Sequence, residues 1–155
     1  ITGDDILIDK YYAEKTIQTH LNYNSDYTDC KDIPSGTEIE VISTKTIFNL
    51  YKNLKDSSGT EYLTNYLTEN KDHFHLSSCK VKKEHKSNLR LTIDTIEDYM
   101  NVKQILKHFY KIKKINSYDM NDILDFYSLL KKSPKNLNIT QLKKPIKYKT
   151  KLLWS

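Results

Sequence analysis

Leu89-Arg90-Leu91-Thr92-Ile93-Asp94-Thr95-Ile96-Glu97-Asp98 is the stretch on which the fold turns. Leu89, Leu91 and Ile93 alternate with Arg90 and Thr92, the period-two pattern of a strand with one apolar face. Thr95 and Asp98 then stand in N-cap and N3 spacing, where each side chain can bond the other's backbone N–H. They open a helix that carries Tyr99, Val102, Ile105, Leu106 and Phe109 on one side. A strand therefore runs directly into a helix, with the carboxylate of Asp94 at the junction. Ligands of open α/β sheets collect at that end of a strand.

The same grammar extends in both directions. Residues 1–5, Ile1-Thr2-Gly3-Asp4-Asp5, end a short β-prone run at a glycine and leave Asp4 at its carboxyl end. Asp9 is placed to N-cap a helix to about Asn22, with Tyr12, Ile17 and Leu21 expected inward. Residues 24–36 hold Asn, Ser, Asp, Pro34 and Gly36 and read as a loop. Glu38-Ile39-Glu40-Val41-Ile42 reads as a strand with one wet face. Ser43 or Thr44 is expected to cap a helix with Ile47, Phe48, Leu50, Tyr51 and Leu54, which residues 56–59 break. A further helix from Thr60 carries Tyr62, Leu63, Tyr66 and Leu67. Residues 74–80 form another strand, and a last helix spans about residues 118–131, ending at Ser133-Pro134. Strands separated by helices give an α/β layered domain. No internal repeat is visible.

With 155 residues and 37% hydrophobic content, the chain can fill one core, and a single compact unit is expected. No long apolar run or signal-peptide pattern is present, so no membrane partner is expected and the location is read as cytoplasmic. Cys30 and Cys79 make no disulfide framework and are expected as thiols. His73, His75 and Cys79 invite a zinc reading, but without a second close pair ordinary strand histidines are favoured. Charge is unevenly spread. Residues 1–106 carry 13 basic and 17 acidic side chains, whereas residues 107–155 carry 12 and 3. Lys143, Lys144, Lys147, Lys149 and Lys151, beside Tyr148 and Trp154, raise nucleic-acid binding as a rival function. Such tails are usually just solvated, and no nucleic-acid partner is expected.

Two aspartates at strand ends, Asp4 and Asp94, could face each other in such a sheet and offer hard oxygen ligands to magnesium. The bland alternative is that Asp4 ends a turn and Asp94 helps cap the helix. Glu38 and Glu40, two apart on a strand, share a side and can reach a sugar hydroxyl or be solvated. Glu61 can do the same or complement a helix dipole. Arg90, the sole arginine, can hold a phosphate or pair with an acid.

The order of motifs carries a resemblance. Thr2-Gly3-Asp4-Asp5-Ile6-Leu7-Ile8-Asp9 resembles the Thr-Gly-Asp-x-Pro-Leu-Ile-Asp segment of the acylneuraminate cytidylyltransferase-like family, in its spore coat polysaccharide biosynthesis branch. Residues 34–41 resemble the Gly-x-Asp-x-Glu-Val strand of that branch. Glu61-Tyr62-Leu63-Thr64 resembles its Glu-His-Val-Thr helix start, and residues 88–98 its Leu-Arg-Leu-Thr-Val-Asp-Thr-Pro-Glu-Asp stretch. Ile6, Asp5, Tyr62 and Ile96 depart from the Pro, Cys, His and Pro of those motifs.

The resemblance covers about residues 1–138. It implies a Rossmann-like nucleotidyltransferase sandwich, of which residues 1–115 would be the carboxyl-terminal part and residues 116–155 a closing helix and basic tail. The implied reaction transfers CMP from CTP to a sugar for surface polysaccharide or glycan biosynthesis and releases pyrophosphate. CTP and a sugar are the implied partners, Mg2+ the cofactor, and Asp4 and Asp94 the catalytic metal ligands. Glu38, Glu40, Glu61 and Arg90 are the candidate substrate-binding residues, and a homodimer is kept open. The Gly-rich CTP loop of the family has no counterpart among only three glycines, and the chain starts at Ile1. The expectation is a fragment that cannot bind CTP productively by itself. The alternative is a non-catalytic sugar- or partner-binding remnant of the fold.

Overall fold

The computed structural model describes residues 3–55 and 63–131. Glu61, the helix break at 56–59, Ser133-Pro134 and the basic tail lie outside them. The described residues form an α/β arrangement in the order α1 (Lys10–Tyr23), β1 (Tyr27–Asp29), β2 (Val41–Ile42), α2 (Thr44–Asn53), α3 (Leu63–Glu69), β3 (Leu76–Ser78), α4 (Ile96–Lys111) and α5 (Met120–Lys131). The chain divides into two compact units with interleaved segments. Among the described residues the first takes residues 3–13, 30–39 and 80–131, the second residues 14–29, 40–55 and 63–79.

The second unit contains a sheet of order β2-β1-β3. β1 is wholly buried and pairs antiparallel with β2, Tyr27 opposite Ile42, and parallel with β3, Tyr27 opposite Leu76. The expectation of a loop over residues 24–36 therefore needs correction. Asn and Asp on either side masked a three-residue β-prone core, Tyr27-Thr28-Asp29, whose strand character comes from pairing on both edges. Its brevity also trims its neighbours: the strands expected at 38–42 and 74–80 shrink to two and three residues. Tyr27, Leu50, Tyr66 and Leu67 close the core of this unit. Ser43 N-caps α2, accepting the Thr46 N–H. Ile47, Phe48 and Tyr51 are exposed rather than inward. Thr46 takes the buried face in their place, because its hydroxyl donates to Asp26 Oδ1 at 2.6 Å.

The first unit is built on Leu7, Leu89, Leu91, Val102, Ile105, Phe109 and Ile123, which join the segment before α1, the 89–93 stretch, α4 and α5. Asp9 N-caps α1 as expected, its Oδ1 accepting the Tyr12 N–H at 2.8 Å. Tyr12 is inward. Ile17 and Leu21 are not, being 42% and 65% exposed, and Thr16 and His20 are buried instead. A stripe read from apolar residues alone misses polar side chains whose hydrogen bonds are met inside. His20 Nδ1, for example, bonds the buried Thr28 hydroxyl at 3.0 Å. The inward Tyr12 is held likewise: its hydroxyl accepts the Lys82 N–H and bonds His85 Nδ1, while His85 Nε2 meets Asn121 Oδ1 on α5. The expected strand at 89–93 survives as one parallel bridge, Arg90 to Ser35. Toward its start the Leu89 N–H is taken by the Ser87 hydroxyl, and toward its end Gly36 leaves the β region at φ +92°.

Candidate active site

The first unit brings the Asp4 turn and the 89–98 segment together. Ile93 N–H donates to the Asp4 carbonyl at 3.0 Å, so Asp4 sits across from the residue immediately before Asp94. Asp4 is half-buried and its neighbour in this pairing, Asp94, is exposed.

The helix start behind Asp94 is rigidly built. Thr95 Oγ1 accepts the Asp98 N–H, and Asp98 accepts the Thr95 N–H, a complete capping box despite the Asp at N3. Asp98 goes further. Its Oδ2 accepts the Thr95 N–H at 2.9 Å, the Thr95 hydroxyl at 2.9 Å and the Asp94 N–H at 3.2 Å, and pairs with Arg90 Nη1 at 2.9 Å. Arg90 Nη2 pairs with Asp94 Oδ2, which also accepts the Thr92 hydroxyl. The sole arginine thus bridges two carboxylates, and its side chain is only 10% exposed. Asp98, read from the sequence as a capping residue alone, is the buried anchor of this network. The single Arg eight positions upstream was the available hint.

Gly36 fixes the turn packed against this segment. A Cβ there would lie 2.6 Å from Thr92 N and 2.8 Å from Leu91 C, so only glycine lets this turn abut the strand that leads to Asp94. Glu38 Oε2 closes the turn, accepting the Gly36 N–H at 2.7 Å and the Thr37 N–H at 3.0 Å. Asp9 N–H donates to Thr37 O at 2.9 Å and ties the turn to the start of α1. Glu40, in the second unit, accepts the Tyr27 hydroxyl. Glu61 lies outside the described residues.

Burial pushes the Glu38 carboxyl above its usual 4.5. Hydrogen bonds from the backbone amides of Glu38, Gly36 and Thr37 pull it back, and the Asp5 carboxylate adds to the rise. A raised carboxyl pKa means the folded state binds more protons than the unfolded one. Stability is then lost as pH rises from about 4.5 through the folded value. Glu38→Gln keeps an acceptor for the two amides and cannot ionise. Urea unfolding across a pH series is expected to show the variant gaining on the wild type as pH rises through this window. Parallel profiles would contradict the assignment.

The donors suit magnesium, which is commonly held by one or two carboxylates together with water and phosphate oxygens rather than by an all-protein cage. Asp4 and Asp94 supply two such donors on adjoining backbone. Among the described residues no three His, Cys, Asp or Glu side chains group to hold a metal ion, and this covers His73, His75 and Cys79. His73 stands in a 3₁₀ turn at Lys71–His73, not on a strand. Cys30 and Cys79 are both buried. No described helix is long and apolar enough to cross a membrane.

This backbone superposes on the solved structure of a cytidylyltransferase from Leptospira borgpetersenii with a TM-score of 0.73 and 23% identity, over 93% of this chain and 59% of that one. Over the matched part the chain shares the fold of that structure. It is 26% identical over 107 residues to a spore coat polysaccharide biosynthesis protein of Bacillus subtilis, covering 68% of this chain and 45% of that protein. It is 33% identical over 143 residues to an uncharacterized protein of Methanocaldococcus jannaschii, covering 90% and 55%. No family model matches the chain. The chain spans about half the length of the curated relatives it matches. The α/β nucleotidyltransferase-like fold is the one expected from the sequence.

Proposed function

We propose that this chain is the carboxyl-terminal part of a cytidylyltransferase that transfers CMP from CTP to a sugar destined for surface polysaccharide. The observation that carries this reading is the Ile93–Asp4 backbone bond, which sets two aspartates on adjoining backbone in a cytidylyltransferase fold. The spore coat polysaccharide relative supports the sugar pathway.

In the reaction a sugar hydroxyl attacks the α-phosphorus of CTP, the bond to the β-phosphate breaks, and pyrophosphate leaves. No protein nucleophile is needed, so positioning and electrostatics supply the rate. Asp4 and Asp94 would hold magnesium, whose chemistry there is to neutralise triphosphate charge. Glu38, in the same unit as the two aspartates, is assigned to a sugar hydroxyl, from which a carboxylate accepts a hydrogen bond. The phosphate-binding glycine-rich loop is assigned to sequence outside this chain.

The test is pyrophosphate release from CTP by the full-length gene product, with magnesium and a panel of sugars. Asp4→Asn and Asp94→Asn are each expected to lower the rate by about 100-fold or more. Undiminished turnover by either variant refutes its metal-ligand role. Sugar binding with no turnover by the wild type points instead to a non-catalytic remnant.

A further inference from the structure

The Arg90 network does more than cap a helix. Asp94 is held twice: its N–H donates to Asp98 Oδ2, and its own Oδ2 receives the Thr92 hydroxyl at 3.1 Å and the Arg90 guanidinium. Yet the Asp94 side chain is 47% exposed, against 10% for Arg90 and 2% for Asp98. An exposed aspartate ordinarily samples several rotamers, and fixing it costs conformational entropy. Here that ordering is built in by folding, and the bonds named engage Oδ2 alone.

We propose that Arg90 is a positioning residue: anchored on buried Asp98, it holds the Asp94 carboxylate in one orientation for a divalent cation. This rests on the cytidylyltransferase reading above. Both terminal nitrogens of the guanidinium are committed to carboxylates and the side chain is nearly buried, so Arg90 is poorly placed to grip a phosphate. Charge does not oppose the role. One guanidinium against Asp94 and Asp98 leaves a net negative charge, so a cation is still attracted. The planar fork is what matters, because its two terminal nitrogens meet two carboxylates at once in fixed directions, which the point charge of a lysine cannot do. Partners behind a metal ligand set its orientation, and losing them costs about 10–100-fold in metal affinity or activity.

The test uses the full-length gene product, with Mn2+ as the probe. Its binding is read without CTP from the loss of the free-ion electron paramagnetic resonance signal, alongside the magnesium dependence of turnover. Arg90→Lys keeps the charge and removes the fork; Thr92→Val removes only the hydroxyl on Asp94. Arg90→Lys is expected to weaken Mn2+ binding about 10-fold or more. It should also raise the half-saturating magnesium concentration, with kcat at saturating metal little changed. Thr92→Val is expected to show a smaller loss of the same kind, and it decides the matter if circular dichroism shows that Arg90→Lys does not fold.

Unchanged Mn2+ affinity in the folded variants, with Asp94→Asn losing it, overturns the positioning role and leaves the cytidylyltransferase reading standing. Weaker CTP binding at saturating metal with normal Mn2+ affinity also overturns it, in favour of a phosphate contact. If Asp94→Asn itself keeps both Mn2+ binding and turnover, the metal-site reading fails and this inference with it.

Discussion

Gly36→Ala is expected to lower the melting temperature of the chain by about 10 °C, or to prevent folding. Two penalties add. The glycine sits at φ +92°, where an L side chain is strained by about 1–3 kcal/mol. The new Cβ would also stand 2.6 Å from Thr92 N and 2.8 Å from Leu91 C, both backbone atoms that cannot rotate aside. Forcing room in packed structure costs about 1–3 kcal/mol more. Folded proteins carry only about 5–15 kcal/mol of net stability, so this is a large share. Thermal melting by circular dichroism measures it, and a shift below a couple of degrees would mean the turn relaxes away from the strand. Such relaxation would also carry Glu38 and its two amide bonds away from the 91–92 backbone.

The second large effect falls on Asp98. Asp98→Ala is expected to destabilise the chain by about 3–5 kcal/mol, because it leaves a nearly buried guanidinium short of one partner and removes the N3 half of the capping box of α4. The retained pair between Arg90 and Asp94 argues for the lower end of that range. The double variant Arg90→Leu/Asp98→Leu is expected to cost less than the sum of the two single changes, by about 1–3 kcal/mol, since neither charge is then left alone. Additive costs in urea unfolding would show that the two side chains are not coupled. The functional corollary is that Asp98, which is not placed to touch substrate, shapes the site through Arg90 and the Asp94 amide.

These two positions mark how far the sequence could be read. Gly36 was visible as a turn residue, but that it must be glycine comes from the strand passing against it, more than fifty positions later in the chain. The Thr95/Asp98 capping box was legible because both halves lie within one helical turn, where spacing alone sets geometry. Asp9 and Ser43 as caps were legible for the same reason. Strand β1 was not, because Tyr27-Thr28-Asp29 is too short to declare itself and owes its state to two partners distant in sequence. The inward faces of α1 and α2 were misread where Thr16, His20 and Thr46 displaced apolar neighbours from the interior. Whether a threonine or histidine is tolerated inside depends on a partner, and a partner is a tertiary fact.

By itself the sequence determined the α/β class, the capped starts of α1, α2 and α4 and the candidate acids, since each rests on local period, capping chemistry or motif order. Only the tertiary structure decided that Asp4 adjoins the residue before Asp94, that Arg90 is spent on two carboxylates, and that Glu38 folds back on its own turn. Those outcomes depend on which backbone groups and charges are desolvated together, and the energy of an ion pair or a hydrogen bond is set by its surroundings rather than by its place in the chain.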